Sequence, residues 1–436
     1  MTFQIEIRPP TEREPTGIAV RIGDQALTRV LRPGASEPSD YLYAPPELLA
    51  LWIAENWWRL RWEPLPTEGP TEPWLQAHGF RSISNDYAWP DALIWGQDSR
   101  VVVSAKPDPV GVVGPVRFLS DIEELLIAAD AFEHGTDRFL KQWARDPART
   151  DAPLLRAIRI LFEERDDPEV SAWRRLEARL GFDPDTVPDS LMKQLGELAK
   201  AFAETDVEEA ASAAPGPRAA DILQQGIAFA QSANGLACDF AAARTLVARQ
   251  ALVVPQGIAM DGAIPWKSAE TLASHLREQI GVVGPLPDAR LRDLLEISSD
   301  PFESASACNL AYAIRVRTQS GDRVGLRSKW RVGRRIELAR ALGDLFYTDG
   351  DDASPRHLGP IARSKTARQQ FQRAFGASLL CPYSELQALL RTDPPESEDI
   401  AEAARHFDVS EQLVLSTLVN HQSLSRAQYR QLTAAV

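Results

Sequence analysis

The sequence predicts an α+β fold: a β-rich, Trp-containing N-terminal domain, a helical middle, and a C-terminal domain that ends in a helix-turn-helix-like pair. Short strand-like runs interrupted by prolines dominate the beginning of the chain, and helical periodicity takes over near residue 117. Further on, two strand-like runs precede the helix-like "RRIELARALGDLF". The predicted domains are a β-rich, Trp-rich domain over 1–116, a helical domain over 117–250 and the C-terminal domain over 251–436.

The composition limits the classes of protein to which the chain can belong. The chain has 436 residues, of which 44% are hydrophobic and 25% charged, as is typical of a soluble globular protein with more than one domain. Its start, "MTFQIEIRPPTEREP", has no apolar signal core, and no run reaches the roughly 18 apolar residues of a membrane helix. Cys238, Cys308 and Cys381 are unclustered and odd in number, which favours a reducing compartment. We therefore expect a cytoplasmic protein without a membrane partner.

The N-terminal domain is predicted from strand candidates and tryptophans. The runs "FQIEIRP", "GIAVRIG" and "RVVVSAK" alternate or cluster β-branched residues, as strands do. In "LLALWIAENWWRLRW", the tryptophans recur near helical spacing, which indicates packing rather than a ligand site.

The middle of the chain is predicted to be helical. In "SDIEELLIAADAF", Ser120 stands three residues before Glu123, the spacing of a capping box at a helix start. Amphipathic helices follow, and "EEAASAAPGPRAAD" at 208–221 is the best linker candidate.

The C-terminal domain contains a helix with the frame of a zinc peptidase but without its ligands. The strand-like runs at 311–317 and 323–330 form a predicted hairpin, and the helix at 334–346 follows. A zincin needs two histidines one helical turn apart and a neighbouring glutamate. Here Arg340 and Asp344 stand at the histidine positions and Ala341 at the glutamate position. Because arginine does not give up its proton to bind a metal, the local pattern favours an ion-pair ladder of Glu337, Arg340 and Asp344.

The chain resembles the ImmA/IrrE family of metallopeptidase-like proteins over about 265–420. The resemblance rests on ordered motifs: helices ending in "GPLPD", the hairpin, "RRIELARALGDLF", "FQRAFGASLLCP" and the closing "IAEAARHFDVSEQLVLSTLVN". It implies a zincin-like C-terminal domain and places the third metal ligand near Gln369 or Gln370. No aspartate or glutamate occurs between 353 and 384, so all ligands and the base are absent together. The resemblance therefore implies a pseudopeptidase with a vestigial cleft, whose residues are Glu337, Arg340, Ala341, Asp344, Gln369 and Arg373.

A local run of positive charge lies beside this helix, in a chain whose net charge is −13. Such a run is either an anion- or nucleic-acid-binding patch or a solvated sheet edge. The patch residues are Arg315, Arg317, Arg327, Lys329, Arg331, Arg334 and Arg335. His357, in the loop that follows the helix, is expected at the surface.

A second chemical hypothesis concerns the N-terminal domain. "PDALIWGQDSRVVVSAK" places Asp91 and Lys106 on consecutive strand-like runs, a layout similar to that of PD-(D/E)xK nucleases. Ser104 stands where the second acid is needed, and Asp86 is a further candidate ligand.

The expected function is that of a non-catalytic, regulatory or defence- and stress-associated binding protein of bacterial type. We expect a protein partner, with nucleic acid as an alternative through the basic run, and neither a cofactor nor a metal. The competing hypotheses are a metal-dependent hydrolase of the N-terminal domain and a DNA-binding regulator. The second would use the helix after Ser410, although "SEQLVLSTLVNHQ" contains no Arg or Lys. The oligomeric state stays open.

Overall fold

The computed structural model describes residues 1–12, 14–84, 86–111, 114–144, 152–248, 265–302, 309–348, 356–425, 428–429 and 431–432. Cys308 lies outside them. The chain forms two compact units. The first comprises Met1–Asp189, Pro215–Pro217 and Ser364–Thr366, and the second Ser190–Ala214, Arg218–Arg363 and Ala367–Val436. The α+β class is confirmed at this coarse level, with a strand-rich N-terminal region and a mainly helical remainder.

The first unit consists of nine strands and five helices among its described residues. They are β1 (Phe3–Arg8), β2 (Gly17–Ile22), β3 (Gln25–Ala26), β4 (Val30–Leu31), β5 (Leu42–Tyr43), α1 (Pro46–Trp62), α2 (Glu72–His78), β6 (Asp91–Gln97), β7 (Arg100–Lys106), β8 (Arg117–Phe118), β9 (Ile122–Ala128), α3 (Ala129–Ala144), α4 (Ala152–Asp166) and α5 (Pro168–Arg179), with a 3-10 turn at Phe80–Ser82.

Antiparallel pairing organises these strands. β1, β2 and β3 form one sheet, in which β5 also pairs with β2, and β6, β7 and β9 form another. Helix α1 begins with prolines and buries Trp52, Trp57 and Trp58 in the core of the unit. The tryptophan spacing therefore reflects packing, as the sequence predicts.

The segment after residue 117 differs from its prediction. Residues 122–128 form strand β9, paired with β7, and helix α3 begins only at Ala129. The side chain of Ser120 donates to the carbonyls of Ala26 and Leu27 and does not cap a helix. The prediction of a helix here is wrong because the sheet partner outweighs a local capping pattern. It also means that residues 117–189 pack with the first unit, so the compact units differ from the three predicted domains.

The second unit is mainly helical. Its described elements are α6 (Asp189–Ala201), α7 (Glu204–Ala213), α8 (Ala219–Gln231), β10 (Leu236–Cys238), α9 (Ala241–Ala248), α10 (Pro265–Gln279), α11 (Asp288–Leu295), β11 (Ala313–Thr318), β12 (Gly321–Gly325), α12 (Arg331–Thr348), β13 (His357–Ile361), α13 (Ala367–Leu380), α14 (Tyr383–Leu389), α15 (Ser397–Phe407) and α16 (Glu411–Asn420).

The predicted hairpin is present as β11 and β12, and the sheet order is β10-β12-β11-β13, antiparallel throughout. Gly321 closes the hairpin turn with a φ of +110°, a conformation that glycine adopts without strain. Helices α12 and α13 pack on each other, and Gly343 allows this, because a Cβ there would lie 3.0 Å from the ring of Phe375. The closing helices α15 and α16 flank Asp408, as predicted, and the Ser410 side chain caps α16.

No helix in the described part of the chain combines the length and apolar character needed to cross a bilayer.

Candidate functional site

The centre of helix α12 turns one face toward β13 and α13. A Cβ on Gly359 of β13 would lie 1.9 Å from Oδ2 of Asp344, and one on Gly376 of α13 would lie 3.0 Å from Cγ of Arg340. Glycine at these two positions lets the polar side chains of α12 reach the backbone of its neighbours. Arg340 and Asp344, one turn apart, therefore both lie against the interior of the second unit.

Asp344 is a fully buried carboxylate saturated by donors. Its Oδ1 accepts from Arg368 Nε at 2.7 Å and from Gln372 Nε2 at 2.7 Å. Its Oδ2 accepts from Arg315 Nε at 2.9 Å and from Arg368 Nη2 at 3.2 Å. Burial alone would raise the pKa of Asp344, but the charges of Arg368 and Arg315 outweigh it and hold the pKa below its ordinary value. The two arginines thus favour the ionised form of Asp344.

These arginines extend the pairing in both directions. Arg315, in the middle of β11 and 1% exposed, also donates to Asp322 at 2.8 Å and to Thr348 at 2.8 Å. On α13, Arg368 also donates to Asp206 Oδ1 at 2.6 Å and to the carbonyl of Leu358 at 2.8 Å. We call the alternating chain of Asp322, Arg315, Asp344, Arg368 and Asp206 the ion-pair chain.

Asp206, on α7, ends the ion-pair chain against strand β13. Its Oδ2 accepts from the backbone N–H of Leu358 at 2.8 Å and lies 3.2 Å from Nδ1 of His357. Although burial opposes ionisation, the charge of Arg368 and these bonds lower the pKa of Asp206 to about 2. His357 is 3% exposed. The prediction of a surface histidine is wrong, because residue 357 opens a buried strand.

The expected ion-pair ladder on α12 does not form. Among the described residues, Arg340 has no hydrogen bond to Asp344 or Glu337. Glu337 instead accepts from the backbone N–H groups of Arg327 and Ser328, at 3.0 Å each, and holds the loop before the helix. The prediction failed because both carboxylates have partners outside the helix.

Arg340 is held by neutral oxygens. Its Nη2 donates to the carbonyl of Ala362 at 2.5 Å, to Gln369 Oε1 at 2.7 Å and to Gln372 Oε1 at 3.3 Å. Burial, reinforced by the charge of Arg373, lowers the pKa of Arg340 to about 9. Burial likewise lowers the pKa of Arg373 to about 10, against the opposing charge of Glu209.

The remaining vestigial-cleft residues complete this arrangement. Gln369 accepts from Arg340 and from the N–H of Ala362 through Oε1, and its Nε2 donates to Glu209 at 2.9 Å. Ala341 is buried in the apolar core. These positions serve packing and internal hydrogen bonding.

The residues at this place do not fit a zinc ion. A structural or catalytic zinc takes imidazole, thiolate or free carboxylate ligands. Arg340 has no lone pair to offer, and both oxygens of Asp344 already accept from cations. Within the described ranges, no three histidine, cysteine, aspartate or glutamate side chains come together as a metal-binding group.

The seven-residue basic patch does not form as one exposed surface. Arg315, Arg334 and Arg335 are at most 8% exposed, because the protein interior takes up their guanidinium groups. Arg334 donates to the carbonyls of Ser328 and Pro301, and Arg335 bonds Asp288 and the carbonyl of Leu286.

The other four patch residues lie nearer the surface. Arg317 pairs with Asp322, and Arg331 pairs with Asp288 and Asp408. Arg327 and Lys329 are exposed, on the loop between β12 and α12.

The structure shows one feature of the layout that the nuclease hypothesis requires. Asp91 and Lys106 face each other in register on β6 and β7. Ser104 lies opposite Leu93, and an arginine, Arg81, is 3.8 Å from the Asp91 carboxylate. Asp86 is exposed in the loop before β6. No second carboxylate stands at the position that the layout requires.

The structure brings together residues that the sequence prediction did not group. Arg368, Gln372, Asp206 and Glu209 were absent from the predicted site, and Arg315 was assigned to the surface. Two signals were available: an arginine between Ile314 and Val316 in an apolar strand, and polar Arg and Gln residues spaced three and four apart on a buried helix. Both patterns indicate buried polar groups that need partners.

Comparison with known proteins gives no relative: no protein family model, no curated protein and no solved structure matches the chain.

Proposed function

We propose that the chain is a non-catalytic, ImmA/IrrE-like pseudopeptidase that acts as a regulatory or defence-associated binding protein. The observation that carries the proposal is the state of Asp344. At the place that the resemblance assigns to a metal-binding histidine, the chain has a buried carboxylate neutralised by Arg315 and Arg368. An internal ion pair of this kind needs no metal and leaves no group free to activate water.

The order of elements supports the zincin-like part of the proposal. A β-hairpin (β11, β12) precedes the central helix α12, a strand (β13) and a second helix (α13) follow, and a short helical pair closes the unit. The sequence resemblance implies this order.

Metal content and peptidase activity test the absence of catalysis. We expect purified full-length protein to contain far less than one zinc per chain by mass spectrometry. We also expect no cleavage of casein with or without added zinc, in an assay in which an active zincin peptidase serves as the positive control. Stoichiometric zinc together with zinc-dependent cleavage would overturn the proposal.

An exposed tryptophan supports the binding role. Trp330 is 79% exposed in the loop between β12 and α12, beside the exposed cation Lys329. Hydrogen bonds hold this loop: the backbone N–H of Ser328 donates to Glu337, and the Ser328 hydroxyl bonds the backbone of Trp330. Exposed aromatic and basic side chains on a fixed loop are typical contact residues for a protein partner.

Co-purification from the source cells tests this surface. We expect a partner in constant ratio with the wild type and with Trp173→Ala, which removes a tryptophan that is 41% exposed in the first unit. The partner should be lost with Trp330→Ala. Equal recovery with both variants would exclude the loop as the contact, and a wild type that purifies alone would contradict a stable complex.

A further inference from the structure

The guanidinium of Arg340 is a cation whose only acceptors in the described chain are neutral oxygens. Its Nη2 atom donates to the carbonyl of Ala362 and to the amide oxygens of Gln369 and Gln372. Its Nε atom is buried, and no described residue accepts a hydrogen bond from it. Buried guanidinium groups are ordinarily paired with an anion, because neutral acceptors do not balance the lost hydration of the charge.

The neighbouring carboxylates are committed elsewhere. Asp344, one turn along the helix, accepts from Arg315, Arg368 and Gln372. Glu337, one turn back, accepts from backbone N–H groups of the loop before α12. Neither carboxylate accepts a hydrogen bond from Arg340, although the charges of both, and that of Glu209, favour its ionised form.

A second positive charge adds to the first. Arg373 lies on α13, and after burial its charge is the next cause that lowers the pKa of Arg340 to about 9. The two like charges oppose each other's ionisation, whereas the charges of Glu337, Asp344 and Glu209 favour the ionised form of Arg340. The residues concerned, Arg340, Gln369, Gln372 and Arg373, are called the Arg340 site from here on.

We propose that the Arg340 site binds an oxyanion, a carboxylate or phosphate group carried by the ligand of the pseudopeptidase cleft. An oxyanion accepts from the Nε–H that lacks a described acceptor and supplies the hydrogen-bonded anion that this guanidinium does not have among the described residues. Arginine is well suited to both groups because its donors match their oxygens in geometry. The inference rests on the proposed function, since it names the chemistry that the cleft of a non-catalytic binding protein recognises.

The ion-pair chain cannot serve the same purpose. All three nitrogens of Arg315 donate within the protein, and so do all three nitrogens of Arg368. Their charges are already balanced by Asp322, Asp344 and Asp206. Of the arginines packed around Asp344, Arg340 is the one with a buried nitrogen lacking a described acceptor.

Thermal melting in different anions tests the proposal. Full-length protein is melted in sodium phosphate, sodium acetate and sodium chloride at equal ionic strength, over a series of concentrations. We expect saturable stabilisation by phosphate or acetate relative to chloride, because a ligand that binds only the folded state raises Tm. The anion with the stronger effect distinguishes a phosphate ligand from a carboxylate ligand.

Two arginine variants make the result specific. Arg340→Met should weaken the apparent affinity for the anion roughly tenfold or more, the effect of losing a charge-assisted hydrogen bond. Arg405→Met removes the same charge from the exposed face of α15 and should respond like the wild type. Arg340→Met also leaves the oxygens of Ala362, Gln369 and Gln372 without this donor, so each variant is compared with itself across the three anions. If Arg340→Met does not fold, Arg340→Lys, which keeps the charge and removes the Nε–H, provides the comparison.

The outcomes separate this inference from the proposed function. If phosphate and acetate stabilise the wild type no more than chloride does, or if Arg340→Met and Arg405→Met respond equally, the oxyanion site does not exist. Zinc is measured in the same preparation. A zinc-free protein without an anion response loses only this inference, whereas stoichiometric zinc with peptidase activity overturns the proposed function.

Discussion

Arg368 donates its Nε–H to the buried carboxylate of Asp344 at 2.7 Å, across the interface of α12 and α13. The contact joins a residue at a predicted metal-ligand position to the residue just before Gln369 and Gln370, near which the resemblance places the third ligand. In a zincin, the ligand positions on these two helices would converge on a metal ion. Here an ion pair between Asp344 and Arg368 joins the two helices instead.

Arg368 should be among the most sensitive positions of the second unit. Replacing it with alanine leaves Asp344 with a single cation and removes the charged partner of Asp206. Removing one member of a buried pair costs about 3–5 kcal/mol of unfolding free energy, since a desolvated charge is left behind. Urea unfolding measures the loss. Arg405→Ala, at an exposed site, should change stability by less than about 0.5 kcal/mol, and a similarly small effect of Arg368→Ala would show that the pair does not stabilise the fold.

Asp206 should make the stability depend on pH in the acid range. Its folded pKa, about 2, lies below the ordinary value of 3.8, so its contribution is complete above about pH 5 and is lost as the pH falls through these values. Between pH 5 and pH 3, the wild type should lose about 1 kcal/mol more unfolding free energy than Asp206→Asn. Urea melts at both pH values measure the difference. Asp24→Asn, at an exposed turn, should keep the wild-type slope, and equal slopes for all three proteins would contradict the prediction.

The sequence predicted the order of elements in the second unit better than its polar contacts. The hairpin, helix α12 and the closing pair follow from local patterns: alternating apolar residues, helical periodicity and the Asp408-Val409-Ser410 break. The partners of Asp344 could not be found in that way. They lie 29 and 24 residues away in sequence, on β11 and α13, and a rule for neighbours on one helix cannot detect them.

The error at residues 117–128 has a related cause. Ser120 and Glu123 fit a capping box, but "IEELLIA" also fits an edge strand, and short runs do not distinguish the two. The segment forms a strand because it pairs with β7, about twenty residues earlier in the sequence. Three of the seven residues of the predicted basic patch are buried for the same reason, because a count of charges in sequence does not reveal which arginines enter the interior.

Gly359 should not tolerate a side chain. A Cβ at this position of β13 would lie 1.9 Å from Oδ2 of Asp344, so Gly359→Ala forces the carboxylate away from Arg315 and Arg368. Overpacking costs about 1–3 kcal/mol, and the broken ion pairs add to it. The control is Gly196→Ala on α6, where nothing lies within 4 Å of the added Cβ and helix propensity favours alanine by about 1 kcal/mol. Thermal melting should thus move in opposite directions for the two variants. A Gly359→Ala protein as stable as the wild type would mean that the Asp344 carboxylate does not pack against Gly359.

Introducing the zincin residues into α12 should not produce peptidase activity. The triple substitution Arg340→His, Ala341→Glu and Asp344→His supplies two imidazoles and a carboxylate in the required frame. It also leaves Arg315 and Arg368 without their shared anion and places a glutamate at a position buried in the apolar core.

The third ligand is still missing, because the facing positions on α13 are Gln369 and Gln372, which are neutral amides. We expect a protein less stable than the wild type by several kcal/mol, of the order of a broken buried ion pair, and without zinc-dependent activity. Casein cleavage with and without zinc and chelator measures the activity, and urea melts measure the stability. Asp344→Asn, which keeps the size of the side chain, shows how much of the loss comes from the carboxylate alone. Zinc-dependent cleavage by the triple variant would mean that the ion-pair chain can yield to a metal, and that α12 and α13 retain the geometry of a working site.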